Sequence, residues 1–265
     1  MTKLPERIAT GVYQVGLRGV NAFLIDLDDD SGAGMAGAAT EAGSGSADKA
    51  AGKTDFSSGL VLIDAGMDKR ARRIGEAILA LGRTPADLRA VVITHLHGDH
   101  VGGLAKVKAH SPAEVWMHPA DAAQVREGVR GRALDPGPGR VRSAIAKTAG
   151  RRPIPRRESI PVEHEVEDGE TLPFAGLQVI FTPGHTAGHL ALLLPRDGGV
   201  LFVGDTATNY AGRLSYGPIY EDVAAGEASL HRLAGLQFEV AAFSHGRPIR
   251  AHASERFRKR SPAEG

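Results

Sequence analysis

The segment LRAVVITHLHGDH, residues 88–100, carries the strongest structural signal in this chain. Its first half is a run of apolar and β-branched side chains, which is typical of a buried strand. Its second half places four side chains that can ligate a metal within six residues: His95, His97, Asp99 and His100. Side chains at positions i and i+2 of an extended chain lie on the same side, so His95 and His97 can reach one ion together. Gly98 permits a tight turn, after which Asp99 and His100 face a second ion from the start of a helix, where a carboxylate is favoured.

Three later segments place one ligand-type residue each directly after an apolar strand. They are TPGHT (182–186) with His185, GDT (204–206) with Asp205, and SHG (244–246) with His245. Each lies on a loop flanked by Gly or Pro, and functional groups of sheet proteins gather on such loops. Together with the first motif they predict one metal site built from seven side chains.

Composition limits the class of protein. The 265 residues suffice for one large α/β domain, and we expect residues 1–265 to form a single domain. The net charge of +1 gives no global attraction to nucleic acid or to an anionic membrane. The absence of cysteine excludes disulfides and thiolate sites. No signal peptide and no stretch of about 20 apolar residues is visible, so we expect a cytoplasmic protein without a membrane span.

Short strands are predicted at about residues 12–15, 20–27 and 60–63, and two segments interrupt the regular pattern. Residues 29–58 are rich in Gly, Ala, Ser and charge, and we predict a disordered insertion there. Residues 124–157 are rich in Arg, Gly and Pro, and from Arg126 to Arg157 they carry ten basic and two acidic residues. This second insertion is either a lid that attracts anionic substrates or a solvated loop.

The remaining pattern mixes strands with helices. A helix is predicted at about residues 69–81 with Asp68 as its N-cap, followed by another at about 102–109 and a third at about 221–233. A second group of strands begins near residue 162 and ends at FEVAAFSHG. The order favours two mixed sheets packed face to face with helices outside, an α/β fold of the four-layer αββα type.

The motifs HLHGDH, TPGHTAGH, FVGDT and FSHG, in this order, resemble those of the metallo-β-lactamase superfamily over about residues 12–247. The resemblance implies that His95, His97 and His185 hold one metal, that Asp99, His100 and His245 hold a second, and that Asp205 bridges them. Asp99 and Asp205 are then the candidate catalytic carboxylates. Imidazole and carboxylate ligands suit two divalent ions, with Zn²⁺ expected and iron or manganese as alternatives.

The full ligand set, with Asp205 in the bridging position, is similar to that of hydroxyacylglutathione hydrolases, lactonases and tRNA-processing endonucleases within this superfamily. It implies a dinuclear metallo-hydrolase in which a hydroxide between two ions attacks a small ester-type substrate, a thioester or a lactone. A small, anionic substrate is expected, and nucleic acid is not. The sequence does not indicate an oligomeric state.

Three further residues are candidates for supporting the ligands. Asp64 follows a strand beside the expected site and either orients a ligand histidine or forms a local turn. His189 closes TPGHTAGH and either bonds to a ligand or stabilises its loop. Tyr210, five residues after Asp205, is a candidate oxyanion donor, although the lactonases of the superfamily place a tyrosine closer to the bridging Asp.

Other functions on the same fold stay open. A nuclease or phosphodiesterase would use the Arg-rich insertion to hold phosphates, and its RNA binding would depend strongly on salt. An iron-dependent sulfur dioxygenase would use one metal and fewer ligands, which the pairing of His100 with His245 disfavours. A non-catalytic binding module is disfavoured by the complete set of seven ligands. The last basic cluster, from Arg256 to Arg260, is predicted to be a frayed tail.

Overall fold

The computed structural model describes residues 4–29, 55–128, 135–136, 158–217 and 219–260. Its larger sheet contains β1 (Glu6–Ala9), β2 (Val12–Gly16), β3 (Asn21–Asp26), β4 (Leu60–Ile63), β5 (Leu88–Val92), β6 (Glu114–Met117) and β8 (His164–Glu165). The strands are ordered β1-β2-β3-β4-β5-β6-β8. The first four pair antiparallel, and the pairs from β4 to β8 are parallel, so this sheet is mixed.

The smaller sheet contains β9 (Gln178–Phe181), β10 (Leu190–Leu194), β11 (Val200–Phe202) and β15 (Val240–Ala242), in the order β15-β11-β10-β9. A hairpin of β12 (Ala207–Tyr210) and β13 (Arg213–Tyr216) stands beside it. A short pair joins β7 (Asp135–Pro136) to β14 (Ile219–Tyr220). The helices are α1 (Arg72–Ala80), α2 (Gly98–Val101), α3 (Leu104–His110), α4 (Pro119–Glu127), α5 (Val223–Ala234) and α6 (Ala253–Arg260), with a 3₁₀ turn at Pro85–Asp87.

Successive side chains of each strand point to opposite faces of its sheet, and the apolar ones pack into three separate cores. Leu24, Leu62 and Val91 face α1 and α3 on the outside of the larger sheet. Their neighbours, such as Phe23 and Ile63, face the inner side chains of the smaller sheet, such as Phe202. The outer face of the smaller sheet, with Leu201 and Ala191, packs on Leu230 of α5 and Phe257 of α6. Three cores between four layers confirm the predicted αββα sandwich.

Strand direction brings the ligand loops to one edge. In the smaller sheet β9, β11 and β15 run in the same direction, and β10 alone runs opposite. The loops after β9, β11 and β15 therefore leave from the same edge of that sheet. The Leu190 N–H donates to the Thr94 carbonyl at 2.9 Å, which joins this edge to the end of β5 in the other sheet.

Two predicted helix features are wrong. The first helix begins at Arg72 with Ala71 as its N-cap, and the Asp68 carboxylate instead accepts bonds from the Arg70 and Arg72 N–H groups in the preceding turn. The basic C-terminal cluster is not a frayed tail, because it forms helix α6, anchored by the buried Phe257. Because charged residues surround Phe257 in the sequence, this buried contact could not be predicted.

The two predicted insertions lie largely outside the described residues, and the single-domain assignment stays a prediction. Described residues at both ends of the expected insertion 29–58 depart from the predicted disorder. Asp29 accepts a hydrogen bond from the Tyr13 hydroxyl at 3.2 Å. Phe56 packs against Trp116 and Phe174, with ring centroids 5.8 and 5.4 Å away. From the Arg-rich segment, residues 124–128 end helix α4 and its turn. No helix in the described part of the chain is long and apolar enough to cross a membrane.

Candidate metal centre

Three histidine nitrogens converge where β5 and the β9 loop meet. His95 Nε2 lies 3.1 Å from His97 Nδ1, which lies 2.8 Å from His185 Nε2. His185 donates from Nδ1 to the Ile219 carbonyl at 2.8 Å, so its Nε2 presents a lone pair to the group. Burial lowers the pKa of all three histidines, to about 3 for His97, and keeps them neutral. Three neutral imidazoles aimed at one point form a ligand set suited to a divalent metal.

A second group lies beside the first and combines two histidines with Asp99. His245 Nε2 lies 3.3 Å from Asp99 Oδ2, and His100 Nε2 lies 3.7 Å from the same oxygen. Burial alone would lower the pKa of His100, but the carboxylates of Asp64, Asp205 and Asp99 outweigh it and raise that pKa to about 9. In the same way Asp205 and Asp99 raise the pKa of His245 to about 12. Positive charge is therefore stabilised at this second group.

Asp205 stands between the two groups. Its Oδ2 lies 3.3 Å from both His185 Nε2 and His245 Nε2, and its Oδ1 lies 3.7 Å from His100 Nε2. Burial would raise the pKa of this carboxyl, but His100, His245 and His185 lower it well below its usual range. Asp205 therefore stays ionised, with Oδ2 near a histidine of each group and Oδ1 near His100 of the second group.

The seven side chains form overlapping sets whose ligand atoms lie within 4.8 Å of one another. The sets are His95, His97 and His185; His95, His100 and Asp205; and Asp99, His100 and His245. The first and last are the two sets into which the family resemblance divides the ligands. Within the described chain, His100 Nε2 and Asp205 Oδ1 are buried without a hydrogen-bond partner. Buried polar atoms normally find a partner, so this donor set fits metal ions.

Surrounding groups fix the orientation of the ligands. Asp64 accepts from His100 Nδ1 at 2.7 Å and from the Thr94 N–H and hydroxyl. The Gly19 carbonyl accepts from His245 Nδ1 at 2.7 Å. In His100 and His245 the protein therefore uses Nδ1, which leaves Nε2 to face the cluster.

His189 and Tyr210 occupy different positions relative to the cluster. His189 is fully buried, and its Nε2 accepts from the Asp205 N–H at 2.9 Å while Nδ1 pairs with the Thr182 hydroxyl at 2.8 Å. Tyr210 is 57% exposed on β12, next to Asn209, whose N–H donates to the His245 carbonyl. The structure therefore bonds His189 to the Asp205 backbone, whereas the Tyr210 side chain is exposed to solvent.

Sequence reasoning missed one buried acid. Asp121, in the first turn of α4, accepts bonds from the Leu96 and Gly188 N–H groups and from the Thr186 hydroxyl. Burial raises its pKa to about 6, against the opposing effect of these three bonds. The only local signal is the HPAD start of an unpredicted helix, so Asp121 could not be linked to the ligands from sequence.

Comparison with known proteins places this fold and site in one family. The family model described as "Metallo-beta-lactamase superfamily" matches residues 57–245, and the chain belongs to that superfamily. The His and Asp cluster accordingly marks a metal-dependent hydrolase.

Among similar proteins, "Probable metallo-hydrolase YflN" of Bacillus subtilis is 33% identical over 209 residues, 72% of this chain and 76% of that protein. A hydroxyacylglutathione hydrolase of Synechococcus sp. is 36% identical over 137 residues, which are 50% of this chain and 40% of the relative. A metallo-β-lactamase structure from Cronobacter sakazakii, a variant in its HARLDQ motif, superposes with a TM-score of 0.63 at 25% identity, covering 92% of this chain and 80% of that one. The structural likeness supports the fold.

Proposed function

We propose that this protein is a dinuclear metallo-hydrolase that cleaves a small ester-type substrate, a thioester in the first place and a lactone in the second. The observation that carries the proposal is the pair of buried atoms His100 Nε2 and Asp205 Oδ1, 3.7 Å apart and unbonded within the described chain. His95, His97 and His185 would hold one ion, and Asp99, His100 and His245 the other, with Asp205 shared. Two bound divalent ions supply Lewis-acid polarisation of the scissile carbonyl and a water of lowered pKa.

The protein's own groups set up the reaction. The side chain of Asp99 is 27% exposed and that of Asp205 is 6% exposed, so Asp99 is the more accessible carboxylate. The pKa of Asp99 is lowered because the favourable effect of His100 and His245 exceeds the cost of burial, so it stays ionised. A carboxylate has two oxygens, so Asp99 could bind a metal through one and accept a hydrogen bond from an incoming water through the other.

The chemistry of the leaving group favours a thioester. All seven side chains of the described cluster are His or Asp, and each would be occupied as a ligand. A thiol has a pKa of about 8.5, so a thiolate leaves without a dedicated proton donor far more readily than an amine or an alkoxide. Relatives named hydroxyacylglutathione hydrolase and "Thioesterase pkgB" (28% identical over 162 residues) agree with this choice.

A cleft beside the cluster offers a place for an anionic substrate. It has a volume of about 560 Å³, and its charged lining residues are Arg18, Arg72, Arg73, Asp68 and Glu76. Arg72 pairs with Asp68 at 3.7 Å and Arg73 donates to the Gly16 carbonyl, so Arg18 is the arginine through which we expect the cleft to attract an anion. Ala65, also in its wall, donates its N–H to the His100 carbonyl at 2.7 Å, so the cleft adjoins the second ligand group. Guanidinium groups suit carboxylate recognition.

The Arg-rich insertion contributes little to this surface within the described residues. Arg126 is used structurally, because its guanidinium donates to the Val162 carbonyl and pairs with Glu165. Recognition of anions by the remainder of residues 124–157 stays a prediction.

The test compares a glutathione thioester, a simple lactone and an activated phosphodiester with zinc-loaded protein. The proposal expects the highest kcat/KM for the thioester, and a preference for the phosphodiester would overturn it in favour of the nuclease.

Arg18→Gln should raise KM for a carboxylated ester but not for its neutral analogue. Arg70→Gln, an exposed arginine that does not line the cleft, is the matched control.

A further inference from the structure

Asp121 is a buried carboxylate outside the ligand set, and it accepts three hydrogen bonds. It lies in the first turn of α4 and is completely buried. Its Oδ2 accepts from the Leu96 N–H at 2.9 Å and from the Thr186 hydroxyl at 2.7 Å, and its Oδ1 accepts from the Gly188 N–H at 2.9 Å. Burying a carboxylate is costly unless such bonds compensate it.

The three donors belong to the two loops that carry the first ligand group. Leu96 lies between His95 and His97, and Thr186 directly follows His185. One carboxylate oxygen, Oδ2, therefore bonds to both loops at once. The two loops are 65 and 25 residues away from Asp121 along the chain, so this junction is purely tertiary.

The loops also need such a junction. His97 Nδ1 and His185 Nε2, the two ligand nitrogens that face each other across the loops, lie 2.8 Å apart. His185 uses Nδ1 for the Ile219 carbonyl, so its Nε2 brings a lone pair, not a proton, to this contact. For both nitrogens to face one metal ion, the two loops must keep a fixed relative position, and bonds from groups behind the ligands can provide this.

Gly188 shows how closely the loop that carries His185 approaches Asp121. A Cβ at position 188 would lie 2.7 Å from the carboxyl carbon and from Oδ1 of Asp121. On the other side of the loop, Gly184 has φ +126°, and a Cβ there would lie 2.2 Å from the Gly226 nitrogen. The loop is thus seated between Asp121 and helix α5.

We propose that Asp121 is a positioning residue that joins the His95–His97 loop to the His185 loop, so that their three histidines can share one metal ion. The inference rests on the proposed metal-dependent function. Asp121 itself touches neither the ligand atoms nor the substrate. Its effect is therefore expected in metal affinity before any effect on substrate binding.

The test measures zinc dissociation constants by competition with a chromogenic chelator, together with melting temperatures of the metal-free protein. Asp121→Asn should weaken zinc binding about 10- to 100-fold, the range for lost supporting bonds to ligands. Thr186→Val should weaken it in the same direction, and Thr186→Ser, which keeps the hydroxyl, should retain the original affinity. Asp87→Ala, which removes the capping bonds of a 3₁₀ turn remote from the cluster, should alter only the melting temperature.

The outcomes separate this inference from the proposed function. If Asp121→Asn does not fold, the Thr186 pair still decides, because an unchanged zinc affinity in Thr186→Val would overturn the proposal. A lower melting temperature with unchanged zinc affinity in Asp121→Asn would also overturn it. Failure of the unaltered protein to bind zinc would instead reject the metal-dependent function itself. Zinc binding without thioester hydrolysis would reject only the substrate class.

Discussion

The Nε2 atom of His100 lies 3.7 Å from Oδ1 of Asp205, and neither buried atom has a hydrogen-bond partner within the described chain. Hydrogen bonds nevertheless fix the orientation of both residues. His100 donates from Nδ1 to Asp64, and the backbone N–H of Asp205 donates to His189 Nε2. The protein orders both atoms and leaves them free to bind a ligand.

Replacing Asp205 removes the carboxylate common to both ligand groups. Asp205→Ala should lower hydrolysis at least about 10³-fold, a loss comparable to that of other directly acting groups, and should lower the bound metal per chain. Activity with added zinc and elemental analysis of the purified variant provide the check. Asp168→Ala, which alters an exposed carboxylate paired with Arg232, serves as the control. Unaltered turnover in Asp205→Ala would remove this residue from the site.

Metal uptake should release protons. His100 and His245 have raised pKa values of about 9 and 12 in the metal-free protein, whereas His95, His97 and His185 are already neutral. Zinc must displace the Nε2 protons of the first two, so about two or more protons should be released per chain at pH 7.5. Calorimetry in buffers of different ionisation enthalpy measures this number. Release of less than about one proton would contradict the assigned protonation states.

The same histidines should make the metal-free protein sensitive to alkali. The folded-state pKa of His100, about 9, exceeds the ordinary value of 6.5, so protonation stabilises the folded state. This contribution is fully present below pH 6.5 and is lost as the pH rises through about 9. The melting temperature of the metal-free protein should therefore fall between pH 6.5 and 9. His100→Gln should flatten this part of the profile, and a profile that rises over the window would contradict the assignment.

Asp64 should act on the metal through His100. Asp64→Asn removes the negative charge that faces His100 Nδ1 but keeps the shape of the side chain. Zinc affinity is expected to fall about 10- to 100-fold, as for other supporting carboxylates. Asp28→Asn, at the end of β3 and paired with Arg83, is a suitable control for general loss of charge. Equal zinc affinity in Asp64→Asn and in the unaltered protein would confine Asp64 to a role in its local turn.

Residues 30–54 should be dispensable for stability. The flanking chain ends already meet, because the Leu27 N–H donates to the Gly59 carbonyl at 2.9 Å. Replacing residues 30–54 with a short Gly/Ser turn should leave the melting temperature nearly unchanged. Extending the deletion to residue 57 removes Phe56 from its contacts with Trp116 and Phe174 and should cost about 2 kcal/mol. Equal stability of the two deletions would show that Phe56 contributes nothing.

The fold and the ligand cluster could be predicted because their signals are local. The apolar strand before His95 and the Gly-flanked loops around His185, Asp205 and His245 each carry their own pattern. The start of α1 could not be predicted from Asp68. Its carboxylate accepts hydrogen bonds from the Arg70 and Arg72 N–H groups, as an N-cap side chain would, but it does so from a turn that precedes the helix. The role of Asp121 could not be predicted either, since its partners come together only in the folded chain.

The proposed function requires that the seven side chains hold two divalent ions. Elemental analysis of protein purified without chelators or added metal tests this requirement. About two equivalents per chain, mainly zinc, are expected, with a loss of metal in His95→Ala and His245→Ala. One equivalent of iron would favour the sulfur dioxygenase. Less than about one equivalent of any divalent metal, even after incubation with zinc, would contradict the proposed function.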